Sequence, residues 1–147
     1  MALSGASLPR RIGTTTGLHP AFHPRLPVKG DVVIYVGAMV CLDADGYVVP
    51  ATEAEGLKTL GCYRDSAKGD IDSTGLEDGD LEIFEIWRGT YELEGGADAD
   101  AVAAANIGDS VYWLDDETVS PVSTDRSLAG KVYGINPDNG KIQVTVV

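Results

Sequence analysis

The first thirty residues differ in charge and in backbone freedom from everything that follows. Residues 1–30 contain no Asp or Glu and have a formal charge of +4. The remaining residues hold 7 Lys and Arg against 23 Asp and Glu, a balance of −16, so the net charge is −12. Four prolines in the segment remove backbone donors and disfavour helix in the residues before them. Such a segment cannot build a core of its own, so we predict an extended basic arm, residues 1–30, followed by a folded body, residues 31–147.

The body has the sequence texture of an all-β protein. From residue 31 onward, short apolar runs are separated by turn residues. The pairs Asp45-Gly46 and Asn139-Gly140 lie between apolar runs and predict hairpins. The Ala-rich stretch 98–107 has Asp near its start, which suits a helix dipole. We therefore expect a small β-barrel or β-sandwich-like body with one short helix and an extended N-terminal arm.

Three further local predictions concern the middle of the chain. Residues 57–63 form a strand in which Gly61 marks a bulge or a close backbone approach. Residues 81–87 form a strand with apolar side chains on both faces, and Arg88-Gly89 turns it into a hairpin with residues 90–93. Residues 64–80 form a polar loop that Ile71 and Leu76 tether.

Composition excludes several classes of function. No stretch approaches the roughly 20 apolar residues of a membrane span, and the N-terminus lacks the apolar region of a secretory signal. An acidic body argues against nucleic acid as a partner, because a duplex-binding face needs clustered Lys and Arg. Cys41 and Cys62 are predicted to be buried thiols on neighbouring strands, with a disulfide as the alternative.

No set of residues predicts catalysis or a bound metal. His19 and His23 are four apart, but a proline follows each of them, so they do not share a helix face as metal ligands. The body has no histidine, which removes the usual partner of a Ser or Cys nucleophile. Residues 43–46 open like a calcium loop, yet Tyr47 and Ala54 stand where ligands are needed, which favours a hairpin turn. We predict no catalytic residue, no metal and no cofactor.

Acidic residues are dense enough to form chance pairs. The pairs Glu82/Glu85 and Asp115/Asp116 have the residue type of a glycosidase, but nothing in the sequence places either pair in a cleft. Five carboxylates in the polar loop predict a solvated acidic surface, with weak cation binding as the alternative. These are Asp70, Asp72, Glu77, Asp78 and Asp80.

Three turn-and-core motifs follow one another along the body. Residues 37–51 fit the pattern G-x-x-V-x-L-D-x-x-G-x-x-x-P-A, and residues 108–119 fit G-x-x-V-Y-x-x-D-D-x-x-V. Between them, Arg88-Gly89 is similar to an R-x-G turn, although the intervening residue is missing. This order, over roughly residues 31–147, resembles the small decoration, or cement, proteins of tailed-bacteriophage capsids.

The resemblance implies a non-enzymatic virion protein that is made in the host cytoplasm and sits on the outer surface of the capsid. Proteins of this family are all-β, clamp adjacent capsomers, and in some cases use an N-terminal arm that orders on the shell. The implied partners are the major capsid protein and further copies of the chain, with a trimer favoured over a dimer, and neither nucleic acid nor membrane.

Site residues follow from the arm and from the aromatic positions of the body. Arginines of the arm are predicted to dock on a negatively charged shell, and its spaced apolar residues to anchor there. The arm residues predicted to bind the capsid are Arg10, Arg11, Ile12, Leu18, Phe22, Arg25 and Leu26. The body residues predicted to lie at a subunit or capsid interface are Trp87, Arg88 and Tyr112.

Two other classes of function are consistent with the sequence. The first is another structural subunit of the virion, such as a tail, baseplate or head-fibre protein, with the arm exchanged between protomers. The second is a small trimeric hydrolase or a carbohydrate-binding β-domain, in which exposed aromatic side chains would contact the ligand.

Overall fold

The computed structural model describes residues 25–146 and, for the backbone alone, residues 11–12. Strands make up 42% of the described residues and helical turns 5%, so the all-β prediction is confirmed. The strands are β1 (Arg11–Ile12), β2 (Leu26–Pro27), β3 (Val33–Ile34), β4 (Met39–Leu42), β5 (Val48–Pro50), β6 (Lys58–Tyr63), β7 (Ile71–Asp72), β8 (Glu82–Ile83), β9 (Ile86–Trp87), β10 (Gly89–Gly95), β11 (Ser110–Trp113), β12 (Thr118–Ser120), β13 (Leu128–Ile135) and β14 (Ile142–Val146).

Five strands of the C-terminal half close into a barrel. The order is β10-β12-β11-β13-β14, and β14 pairs back with β10 over five residue pairs. All pairings are antiparallel except that of β10 with β12, which is parallel and joins Glu94 to Thr118 and Gly95 to Val119. The barrel interior is filled by fully buried side chains, the largest of which are Trp113 and Tyr91.

A four-stranded sheet, β5-β4-β6-β9, lies between two apolar cores. Successive side chains of a strand point to opposite faces, and β4 is buried on both. Met39 and Cys41 belong to the barrel core, whereas Val40 belongs to a second core that also contains Ile34 and Tyr63. Two small pairs of strands, β2 with β8 and β3 with β7, cover the second core. The sheet therefore joins the barrel to the N-terminal half of the body.

Both Gly-containing turns form the predicted hairpins. The carboxylate of Asp43 accepts hydrogen bonds from the backbone nitrogens of Asp45 and Tyr47, each at 2.9 Å, and Gly46 takes a φ of +88° that favours glycine. The β13–β14 turn is closed by Asn136, whose backbone nitrogen donates to the carbonyl of Lys141 at 2.9 Å. Each turn is specified by residues within a few positions of one another.

The predicted strand over residues 81–87 and its hairpin at Arg88-Gly89 are wrong. The chain breaks at Glu85, which has a φ of +63°, so β8 pairs with β2 while β9 pairs with β6. Beyond Arg88 the chain enters the barrel as β10, which pairs with β14, β12 and β1 and not with β9. The break at Glu85 follows from the pairing of β8 and β9 with different strands, and the local sequence pattern does not indicate these distant partners.

The predicted single helix over residues 98–107 is replaced by two single turns of 3₁₀ helix, Asp98–Asp100 and Ala104–Asn106. Ala101 between them is extended, and the half-buried Val102 packs against the barrel core. Because an isolated helix of this length is marginal in water, these tertiary contacts override the helix propensity of alanine. Nowhere in the described residues does a helix have the length and apolar character needed to cross a membrane.

The polar loop at residues 64–80 is ordered by its own carboxylates. Ile71 is buried and pairs through β7 with β3, whereas Leu76 is 38% exposed, so Ile71 is the stronger tether. Four of the five acidic side chains accept backbone N–H groups at 2.9 Å: Asp70 from Val36, Asp72 from Thr74, Asp78 from Gly30 and Asp80 from Glu77. The carboxylates of this segment thus have a structural role, because they accept hydrogen bonds from loop nitrogens.

The body begins earlier than the sequence predicted. Residues 25–30, which we placed in the arm, belong to the folded part: Val28 is fully buried in the second core and its nitrogen donates to the carbonyl of Leu81 at 2.8 Å. Lys29 donates to the carbonyl of Val48 at 3.0 Å. The basic residues Arg25 and Lys29 lie on the body side of the observed boundary. The charge pattern therefore placed the start of the body too late in the sequence.

Candidate functional site

The wall of the barrel has a gap beside β10 that β1 fills. At residues 89–93 one edge of β10 is taken by β14. On the other edge β12 reaches only Glu94 and Gly95, because it is three residues long. The same edge at Thr90 and Tyr91 pairs with Ile12 and Arg11 in antiparallel register. We call this part of the edge of β10, at Thr90 and Tyr91, the β10 slot; it precedes the residues of β10 that pair with β12.

Five acidic residues lie on β10 or in the β11–β12 connection, near the point where β12 begins to pair with β10. The members of this acidic rim are Glu92, Glu94, Asp115, Asp116 and Glu117. Backbone contacts hold the two halves of the rim together, since the nitrogen of Glu94 donates to the carbonyl of Glu117 at 2.8 Å. Glu92 lies on the barrel face opposite Tyr91 and Leu93, is only 6% exposed, and accepts a hydrogen bond from the Asn136 amide at 2.6 Å.

Glu117 is the rim residue with a buried carboxylate oxygen that lacks a hydrogen-bond donor among the described residues. It is 9% exposed, and its Oε1 atom is buried without a hydrogen-bond partner in the described structure. Burial raises the pKa of Glu117, and the neighbouring charge of Glu94 raises it further, while Lys141 acts in the opposite direction. Lys141 lies 3.4 Å from the carboxylate of Glu94. The rim therefore combines negative charge with one buried oxygen that lacks a donor.

The predicted arm residues separate into three groups. Arg10, Leu18 and Phe22 lie outside the described residues. Arg11 and Ile12 form β1 in the β10 slot. The remaining two residues contact the body of their own chain, and these contacts were not predicted.

Arg25 and Leu26 are anchored on the body. Arg25 is exposed, lies 3.7 Å from the carboxylate of Glu82, and has its guanidinium 5.9 Å from the ring centre of Phe84. Leu26 is half-buried against the second core and pairs with Ile83 in the β2–β8 ladder. Leu26 therefore packs within its own chain, and we no longer assign it as an apolar anchor for a partner.

The predicted interface residues lie on two different sheets. Trp87 on β9 is half-buried, with its indole nitrogen 3.1 Å from the carboxylate of Glu85 and its carbonyl 3.0 Å from the hydroxyl of Tyr91. Arg88 is exposed and directly precedes β10. Tyr112 on β11 is half-buried and pairs with Ser120 of β12. Trp87 and Arg88 thus adjoin the β10 slot along the chain, while Tyr112 lies across β12 from it.

Sequence reasoning missed a charged junction around Arg126. Its guanidinium donates to Asp100 at 2.7 Å, to Glu53 at 2.8 Å and to the hydroxyl of Ser120 at 3.1 Å. These bonds raise the pKa of Arg126 and lower that of Asp100. The junction ties the first 3₁₀ turn to β12 and to the loop after β5. No sequence signal could have found it, because its members come from three segments that are far apart in the sequence, around Glu53, Asp100 and residues 120–126.

The cysteines and acidic clusters give no support to a reactive centre. Cys41 and Cys62 are both buried thiols, as predicted, and burial raises the pKa of Cys41 to about 12, which leaves it protonated at neutral pH. Within the described ranges, 11–12 and 25–146, no group of three or more His, Cys, Asp or Glu side chains could hold a metal ion.

The arrangement supports strand addition and charge recognition at the β10 slot. A strand edge offers backbone hydrogen bonds to an extended segment, and the acidic rim favours a cationic one. None of the family models, curated proteins and solved structures compared with the chain matches it.

Proposed function

We propose that this protein is a bacteriophage decoration protein that binds the outer surface of the assembled capsid and stabilises contacts between capsomers. The carrying observation is the division of the chain into an acidic β-barrel body and a carboxylate-free, cationic, proline-rich arm. The motif order over residues 37–119 resembles that of decoration proteins and supports the same assignment. In this proposal the protein has no enzymatic role, and its partners are the major capsid protein and further copies of itself, most simply as a trimer.

The arm has the properties of a segment that binds by ordering on another surface. The buried core residues that the structure describes all lie within residues 28–146. In this proposal Leu18 and Phe22 serve as apolar anchors, and Arg10 and Arg11 as cations for an acidic shell. Ordering such a segment costs conformational entropy, which the burial of the anchors and new backbone hydrogen bonds must offset.

Repeated attachment makes a modest clamp effective. Each copy contributes a weak contact, but linked binding elements raise the overall affinity by about 10²–10⁴ without any new contact. A body that spans a seam and an arm that binds the next capsomer would therefore resist separation of the two. Trp87, Arg88 and Tyr112 are the body positions that we assign to these contacts.

A sedimentation experiment with matched variants tests the proposal. The probe is the expanded, DNA-free head formed by the major capsid protein of the same virus. We expect the full chain to sediment with heads, and the Leu18→Ser/Phe22→Ser variant to lose at least tenfold in affinity. The control, Leu76→Ser/Val122→Ser, makes the same chemical change at two exposed positions of the body, which are 38% and 37% exposed, and should bind as the native chain does.

Two outcomes would contradict the assignment. Equal binding by the arm variant and the native chain would remove the arm from the mechanism. Absence of binding to heads together with labelling of tails, baseplates or head fibres in electron micrographs of virions would assign the protein to another virion structure.

A further inference from the structure

The β10 slot is a strand-acceptor site whose occupant is joined to the body by a long connection. β1 contributes two residues, Arg11 and Ile12, and twelve residues separate it from Arg25, where the body begins. Twelve residues span at most roughly 40 Å when extended. A body of this size has a radius of gyration of about 14 Å. The connection is therefore long enough to reach the same slot on an adjacent copy.

The acidic rim makes the slot selective for a basic segment. Position 11 of the occupant pairs with Tyr91, next to the buried Glu92, and position 12 pairs with Thr90. Because the register is antiparallel, the N-terminal end of the occupant strand is the end nearer to Glu117 and Asp116. Glu117 has a buried carboxylate oxygen that lacks a donor. The arm has Arg10 and Arg11 and no carboxylate before residue 25, so its charge is opposite to that of the rim. Residues 25–147 hold 9 Lys and Arg against 23 Asp and Glu, a balance of −14.

We infer that the β10 slot binds β1 of a second copy of this chain, so that neighbouring copies are linked by exchanged arms. An exchanged strand makes the same backbone contacts as the chain's own strand, so exchange costs little once two copies are adjacent. Within one copy the arm is present at an effective concentration in the millimolar range. Copies held side by side present each other's arms at a similar concentration. The inference needs no capsid and is independent of the proposed function.

The test uses a variant whose own β1 cannot pair with β10, and it supplies the arm as a separate peptide. The acceptor is the full chain with Arg11→Pro and Ile12→Pro, which removes both backbone donors of β1 and disfavours its pairing. The described core residues all lie within residues 28–146, so we expect this variant to keep the native circular dichroism spectrum. The ligand is a fluorescent peptide with the sequence of residues 1–24, which represents the arm of a second copy. Fluorescence anisotropy reports binding.

We expect the peptide to bind the proline variant at least tenfold more tightly than the wild-type chain, whose own strand competes. The same peptide with both prolines should bind at least tenfold more weakly than the native peptide. A peptide with Arg10 and Arg11 replaced by Gln should lose at least threefold, because its charge no longer matches the rim.

Each other outcome overturns a defined part of the inference. No binding to a folded proline variant, or equal binding to it and to the wild-type chain, would show that the slot does not accept an arm in trans. Equal binding of the native and proline peptides would exclude strand addition. Equal binding of the Gln peptide would exclude the charge contribution. If the proline variant fails to fold, the Arg11→Gly/Ile12→Gly chain replaces it as the acceptor, with the same outcomes.

Discussion

At the scale of single residues, polar atoms buried next to the barrel core determine stability. Thr59 shows this most clearly: its hydroxyl donates to the carbonyl of Leu128 at 2.7 Å and accepts from the indole nitrogen of Trp113 at 2.8 Å. Trp113 is fully buried, so its N–H has no access to water. One hydroxyl thus joins the middle sheet to two strands of the barrel.

We expect Thr59→Val to destabilise the fold by about 1–3 kcal/mol, the cost of leaving a buried donor unsatisfied at nearly constant side-chain volume. Urea denaturation followed by Trp fluorescence measures the free energy of unfolding. Thr59→Ser keeps the hydroxyl and should lose much less. If the Val and Ser variants were equally stable, the hydroxyl would have no such role.

Glu117 gives a prediction of opposite sign. Burial raises the pKa of Glu117 in the fold above its value in the unfolded chain. The ionised side chain therefore destabilises the fold, and this destabilisation is complete above the folded pKa. It disappears as the pH falls from the folded pKa to the unfolded pKa. Glu117→Gln should therefore raise the free energy of unfolding by about 1–2 kcal/mol at pH 7. The gain should shrink toward pH 4.

The matched control for Glu117 is Glu94→Gln. Glu94 is exposed and belongs to the same rim, and it lies 3.4 Å from the Lys141 ammonium group. Surface pairs of this kind contribute little, so this variant should change stability by less than about 1 kcal/mol. A Glu117→Gln variant that is less stable than wild type at pH 7 would contradict the account of its pKa.

At the scale of secondary-structure elements, one glycine sets the close approach of β6 and β9. Gly61 has a φ of +149°, and a Cβ atom there would lie 2.5 Å from the carbonyl oxygen of Trp87. The β4–β6 pairing shifts register between Val40 and Cys41, opposite this position. The bulge or close approach predicted at Gly61 is therefore confirmed.

Gly61→Ala should destabilise the protein by about 2–3 kcal/mol, since backbone atoms of β9 would have to move. Gly46→Ala is the control: its φ is also positive, at +88°, but nothing lies within 4 Å of the added carbon. That variant should lose about 1–2 kcal/mol from backbone strain alone. Thermal unfolding compares the two, and an equal loss would mean that the clash with Trp87 has no effect.

Elements specified by local chemistry were predictable, and those set by distant partners were not. The turns at Asp43 and Asn136 follow from side chains that hydrogen-bond within their own turn. The break at Glu85 depends on β2 and β6, which lie far away in the sequence, so an apolar run concealed it. The single helix failed for the same reason, because the half-buried Val102 and the ion pair of Asp100 override local propensity.

The candidate site shows the same division. Charge and proline content predicted an arm, and β1 is part of it, but the acceptor edge on β10 depends on the short length of β12 and could not be read from the sequence. Arg25 and Leu26 were assigned to a partner because their residue types fit the arm. Pairing of β2 with β8, which places them on the body, is a long-range contact.

At the scale of the whole molecule, an acidic body with two apolar cores carries a basic arm, which we propose acts between molecules. The middle sheet joins two cores into one body, and the β10 slot lies on the barrel side of that sheet. In the proposed function, the arm binds the shell through Leu18 and Phe22, and in the further inference its β1 segment binds a neighbouring copy. The apolar anchors for the shell, Leu18 and Phe22, lie outside β1, whereas Arg10 and Arg11 are shared, so each of these arginines binds one partner at a time.

Amide hydrogen exchange on the native chain, alone and bound to expanded DNA-free heads of the same virus, tests the central claim most directly. We predict that amides of residues 13–24 exchange at least tenfold more slowly on heads than in solution, while those of the barrel strands β11, β13 and β14 exchange at the same rates in both. Unchanged exchange over residues 13–24 in protein that is bound to heads would contradict the claim that the arm orders on the shell.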